Sequence, residues 1–135
     1  MTKSKQLLGL DVGTVRIGVA IADTAVRIAV PHDYVEVNGD EIETIAELVT
    51  RNEVDTIVVG YPRNQSGEPT NQTTFVEEFA DKLVDFDATV VFQDESLTSV
   101  IAEQRLTSRR KPYTKGDIDS EAAAIILQDY MEQNV

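Results

Sequence analysis

Two strand patterns lie almost back to back near the start of the chain, and they constrain the fold more than any other feature. LLGLDV (7–12) is followed, after Gly13 and Thr14 alone, by VRIGVAIA (15–22), where Val15, Ile17, Val19 and Ile21 alternate with Arg16, Gly18, Ala20 and Ala22. Period-two alternation marks strands, and a two-residue loop led by a glycine at positive φ predicts a tight antiparallel hairpin. A third extended segment, from about Val26 to Val37, contains Pro31, which has no N–H for a ladder and so marks an edge or an interruption. Ile42, Ile45, Ala46 and Val49 then form a helical i, i+3, i+4, i+7 stripe. TIVVGY (56–61) is a continuous apolar run suited to a strand covered on both faces. A loop from Pro62 to Pro69 leads to a helix carrying Phe75, Val76, Phe79, Ala80 and Leu83. A strand at ATVVFQ (88–93), a helix from about Thr98 to Leu106 and a last helix over roughly 117–132 complete the chain.

The order βββαβαβαα predicts one α/β domain over residues 1–135, with a mixed five-stranded sheet and helices on both faces. Its first three strands are antiparallel and the remainder parallel. A chain of this length encloses one core, and therefore one active surface.

Charge argues at first against a nucleic-acid partner, since the formal net charge is −12 and polyanions are held by positive surfaces. The average hides an asymmetry. The segment QRLTSRRKPYTKG (104–116) holds Arg105, Arg109, Arg110, Lys111 and Lys115 with no acid, a local +5 that leaves −17 for the rest. By itself such a loop is better explained by solvation. The absence of cysteine excludes a disulfide scaffold or thiolate metal site, and no apolar run approaches the roughly 20 residues of a membrane helix. A cytoplasmic protein without a membrane partner is the expectation.

Three carboxylates stand out. Asp11 follows LLGL at the edge of a buried strand, where ionisation is costly unless a cation or donors receive it. Glu95 comes just past ATVVFQ, beyond the carboxyl end of a parallel strand, where ligands gather in α/β folds. Asp94 competes for that role. Asp119 shares a helix face with Ala122, Ala123, Ile126, Leu127 and Tyr130, so it points inward, although a first-turn acid can also be a cap, as can Asp117. Together these hard oxygen donors suit Mg²⁺ or Mn²⁺ and the hydrolysis of a phosphodiester. His32, the sole histidine, reads as structural.

LGLDVGTVRIGVAIAD (8–23), IVVGYPRNQSGEPT (57–70), DESLTSVIAEQRL (94–106) and KGDIDSEAAAIILQDYMEQ (115–133) resemble, in order, the four blocks of the YqgF family, also called RuvX. Members are described as candidate Holliday-junction resolvases and as candidate nucleases maturing the 5′ end of pre-16S ribosomal RNA. The resemblance implies a ribonuclease H-like fold with catalytic, metal-holding acids at Asp11, Glu95 and Asp119. It also implies substrate contacts at Arg16 and Asn64, and makes Arg109, Arg110, Lys111 and Lys115 a phosphate-binding rim of the cleft. Two positions depart from the pattern: Ser96 stands where the family often has Arg, removing a possible phosphate contact, and Tyr61 where it often has Leu.

The expected function is metal-dependent cleavage of structured nucleic acid, most of all at the 5′ end of pre-16S rRNA, with a DNA Holliday junction as the alternative substrate. Ribosomal precursor particles are then partners, and the protein is a monomer or homodimer. The rival from another class is a nucleic-acid-binding ribosome-assembly factor without catalysis. DVGT also resembles the first phosphate motif of actin-like and sugar-kinase domains, but those enclose a nucleotide between two domains, and this chain has room for one.

Overall fold

The computed structural model describes residues 4–62, 70–95 and 98–135, Ser99 by its backbone alone. Along the chain run β1 (Gln6–Val12), β2 (Arg16–Asp23), β3 (Val30–Glu36), α1 (Glu41–Arg51), β4 (Val54–Pro62), α2 (Asn71–Asp81), β5 (Thr89–Glu95), α3 (Thr98–Ser108) and α4 (Lys115–Asn134). The strands form one sheet in the order β3-β2-β1-β4-β5. β1 and β3 both run antiparallel to β2, while β1, β4 and β5 are mutually parallel, as the sequence pattern predicts.

Strand alternation distributes the core between two faces. Leu8, Leu10 and Val12 of β1 join Ile57 and Val59 of β4 beneath Ile45 and Leu48 of α1 and Val76 and Phe79 of α2. On the other face Leu7, Ala20 and Val58 meet Ala123, Ile126 and Leu127 of α4. The far side of α4 is covered in turn by α3, through Ala102 against Ala122 and Ile125. This explains why residues 120–127 of α4 are all buried. A helix enclosed by a sheet and a second helix has no solvent stripe over its enclosed length.

Two sequence expectations need correction. The third strand is shorter than 26–37, because a turn at residues 24–26 precedes it and Arg27 takes a left-handed φ of 63°. At the first hairpin, Val12 faces Ile17 and the Gly13 N–H donates to the Arg16 carbonyl at 3.1 Å, so Thr14 and Val15 make the turn. Gly13 does not take positive φ; among the described residues Gly39 is the glycine that does.

α4 approaches the sheet most closely at Gly18 of β2. A Cβ placed there would lie 1.9 Å from the Asp119 carbonyl oxygen, backbone against backbone, with no flexible side chain to yield. Gly18→Ala should therefore lift the start of α4 and cost about 3 kcal/mol, the upper part of the usual overpacking range. Urea unfolding checks this, and an unchanged midpoint would mean that the helix shifts freely.

Candidate active site

Backbone register builds the site. In β1, Leu7 packs with the α4 cluster, and a Cβ on Gly9 would touch Leu127 and Ala123, so Asp11, two residues further on, faces α4 as well. Asp11 pairs directly with Gly18, the residue on which the Asp119 backbone rests. Close packing at one glycine thus brings the acid of α4 to the acid of β1. On the other side Leu10 faces Val59, so Gly60 comes next to Asp11 along the parallel pair.

Glu95 enters from β5. The strand extends through Glu95 rather than ending at Gln93, so side-chain parity does choose between the two neighbouring acids. Val91 packs against the α4 cluster and Gln93 Nε2 donates to Gln133 Oε1 at 3.3 Å, which puts Glu95 on the α4 face and Asp94 on the other, with Phe92. The Glu95 carboxyl lies over Gly60: a Cβ there would be 3.1 Å from Glu95 Cδ. Three acids from three elements thus gather at the carboxyl ends of parallel strands.

Their electrostatics bear the mark of crowding. The Asp11 carboxyl is pushed up from 3.8 to about 8, first by burial, then by the negative charges of Glu95 and Asp119. Burial also raises Glu95, against a hydrogen bond from Thr98 Oγ1 to Oε2 at 2.9 Å that favours the charged form. Asp119 Oδ2 accepts from Arg16 Nε at 2.7 Å in a half-buried ion pair. Among the described residues no group of three histidine, cysteine, aspartate or glutamate side chains is placed to hold a metal ion. The chemistry of the three acids is nonetheless that of hard oxygen donors, and Asp11 carries an electrostatic penalty that a double positive charge would relieve.

The remaining candidates divide. Arg16 reaches Asp119, and it also lines a cleft with Thr114, Lys115 and Gly116. Lys115 belongs to the first turn of α4 rather than to the loop. Arg110 and Lys111 are exposed in the α3–α4 connection. Arg109 turns inward, its Nη2 bonded at 2.6 Å to Oε1 of Glu121, whose side chain is 3% exposed. Asn64 and Ser96 lie outside the described residues. Asp117 takes the capping role left open by the sequence: its carboxylate accepts from the Thr114 N–H at 2.8 Å while Thr114 Oγ1 accepts from the Asp117 N–H at 3.2 Å. Asp119, one turn of helix past the cap, is released from that duty.

Sequence reasoning missed Glu121, Thr98 and the two glycines that seat the acids. Glu121 could have been noticed as a charge inside the apolar run SEAAAIIL, although nothing in the sequence names Arg109 as its partner.

A mixed sheet in this order, with carboxylates at the ends of its parallel strands and on the helix that crosses them, defines a ribonuclease H-like domain. Two solved structures share the fold. T. thermophilus RuvC in complex with a Holliday junction superposes with a TM-score of 0.58 at 14% identity, covering 96% of each chain. The Fowlpox virus resolvase, also bound to junction DNA, has a TM-score of 0.58 at 11% identity, covering 95% of this chain and 97% of its own.

The chain belongs to the RuvX family, described as Holliday junction resolvase, whose model matches residues 5–133. This makes it a nuclease, a hydrolase of phosphodiester bonds. A relative from Chloroflexus aggregans is 43% identical over 131 residues, 93% of this chain and 92% of its own length. One from Sulfurihydrogenibium sp. is 34% identical over 131 residues, 95% of this chain and 90% of its own. Both are described as candidate pre-16S rRNA nucleases.

Proposed function

We propose that this protein is a divalent-metal-dependent endonuclease that processes the 5′ end of pre-16S rRNA, acting at the cluster of Asp11, Glu95 and Asp119. The observation that carries this reading is the placement of the Asp11 carboxyl, pushed up to about 8 by burial and by the two other acids. No folding benefit explains three carboxylates held against one another, whereas a bound cation does.

Mg²⁺ or Mn²⁺, when bound, supplies an activated water and stabilisation of the leaving oxygen. The chain's own residues hold and orient. Glu95 is fixed by Thr98 and backed by Gly60, and Asp119 is fixed by Arg16. Lys115, Arg110, Lys111 and Asn64 take phosphates on either side of the cut, while Arg109 serves through its hold on the loop. The acid-free segment 104–116 concentrates positive charge in a chain of net charge −12, which favours binding here. No helix among the described residues is long and apolar enough to cross a membrane.

A second substrate, the four-way DNA junction, is favoured by the description of the family itself. Cleavage of labelled pre-rRNA and junction DNA by wild type and Asp11→Asn, with Mg²⁺, Mn²⁺ or chelator, tests the proposal. The expected outcome is metal-dependent cutting of the RNA, reduced by at least about 100-fold in the variant, whose binding persists. Cutting of the junction alone would move the substrate to DNA. Specific binding without any cutting would favour the assembly factor.

A further inference from the structure

Beside Arg16, the end of the β2–β3 ladder and the first turn of α4 enclose a cleft of about 380 Å³. Its lining is chemically mixed. Arg16 and Lys115 bring positive charge, tempered by Glu36. Val15, Tyr34 and Val37 line it as well, and each is exposed, Val15 to 62%. A rim that only held phosphates would have no use for three exposed apolar side chains.

The wall is rigidly seated. The Val37 N–H donates to the Val15 carbonyl at 2.9 Å, which holds the two valines together across the strand ends. Tyr34 pairs with Gly18 in the ladder, and its ring lies against Gly116, where a Cβ would come within 2.3 Å of it. The ring is thereby seated on the first turn of α4. The aromatic and aliphatic wall is therefore preformed, and preformed apolar surface beside cationic groups matches a nucleotide, with its flat base and anionic phosphate.

We propose that this cleft is a subsite for one unpaired nucleotide flanking the scissile phosphate, its phosphate on Arg16 and Lys115 and its base on Val15, Tyr34 and Val37. The inference rests on the nuclease reading and deepens it, because Arg16 joins the cleft directly to Asp119. A base stacked within a duplex cannot lie on a protein wall, so the preferred substrate has a single-stranded nucleotide next to the cut. Apolar contact is shared by all four bases, so the subsite selects strandedness rather than sequence.

The test is binding of a fluorescent single-stranded hexanucleotide, and of a blunt duplex of the same sequence, to wild type and to the double variant Val15→Ser/Val37→Ser, in chelator. Both positions are at the surface, and Val84→Ser, exposed after α2, is the control. The expected result is an approximately tenfold loss of single-strand affinity in the double variant, with unchanged salt slope, unchanged melting temperature and unchanged duplex affinity. Undiminished single-strand affinity, or an equal loss for duplex, overturns the subsite. Its fate is separable from that of the nuclease reading. Loss of strand affinity in a protein that cuts nothing keeps the cleft as a single-strand binding site and removes the cleavage reading, whereas cutting by wild type with undiminished strand affinity in the double variant does the reverse.

Discussion

In chelator at pH 8, Asp11→Asn should melt several degrees above the wild type. The carboxyl of Asp11 ordinarily titrates at 3.8 and is raised to about 8 in the fold, so between those values the folded protein binds a proton that the unfolded chain releases. The metal-free wild type consequently loses stability as pH rises through that window, and is most stable, as far as this group is concerned, below about pH 4. Asparagine keeps the shape and cannot ionise, so the loss disappears. One pKa unit corresponds to about 1.4 kcal/mol, and partial exposure of Asp11 discounts the full gap, leaving about 2 kcal/mol, or roughly 5–10 °C for a domain of this size. Near pH 4 the two proteins should melt together. Adding Mn²⁺ at pH 8 should then raise the melting temperature of the wild type and leave the variant nearly unmoved, since a ligand stabilises only the state that binds it. Thermal melts across pH, with and without metal, measure all of this. A variant less stable than wild type at pH 8 would show that Asp11 serves the fold and not a cation.

The strand and helix order was legible because each element carries its own period: alternation in VRIGVAIA, a continuous apolar run in TIVVGY, a 3.6-residue stripe around Ile45. Boundaries were less legible where turn chemistry had more than one solution. Gly13 reads as a positive-φ turn residue, but its N–H bonds to the Arg16 carbonyl just past the ladder, and the turn shifts by one residue. The two acids that terminate strands were also visible, because a carboxylate after an apolar run conflicts with its surroundings. What local sequence could not give is the contact that unites them. Gly18 and Gly60 look like ordinary small residues of a strand until α4 and the Glu95 carboxyl are laid on them. Asp94 and Glu95 are indistinguishable beyond a strand pattern that ends at Gln93; two more residues of ladder fix their opposite faces. The basic loop was legible as a composition break, but composition cannot tell a phosphate ligand from a residue already committed to an internal partner.

Arg109 is that residue, and its replacement should be the most damaging change in the basic loop. Glu121 is 2% exposed in the middle of the helix that both sheet and α3 enclose, and the Arg109 guanidinium reaches it at 2.6 Å. Removing one partner of a buried pair leaves an uncompensated charge, typically at a cost of 3–5 kcal/mol. The Arg109 side chain is half exposed, so water can partly replace it, and about 3 kcal/mol is expected for Arg109→Ala. Arg110→Ala, at an exposed position, should cost less than about 0.5 kcal/mol. The two cations, adjacent in sequence, therefore separate by measurement: Arg109→Ala lowers the urea midpoint, and Arg110→Ala lowers nucleic-acid affinity and reduces the salt slope by about one. The double replacement Arg109→Met/Glu121→Leu supplies the decisive comparison. It removes both charges, leaves none buried alone, and should restore most of the stability lost in Arg109→Ala. If it restores stability without changing affinity for nucleic acid, the role of Arg109 is to bind the loop to α4. If affinity falls with stability intact, Arg109 contacts phosphate as well, and the outer face of its guanidinium belongs to the rim.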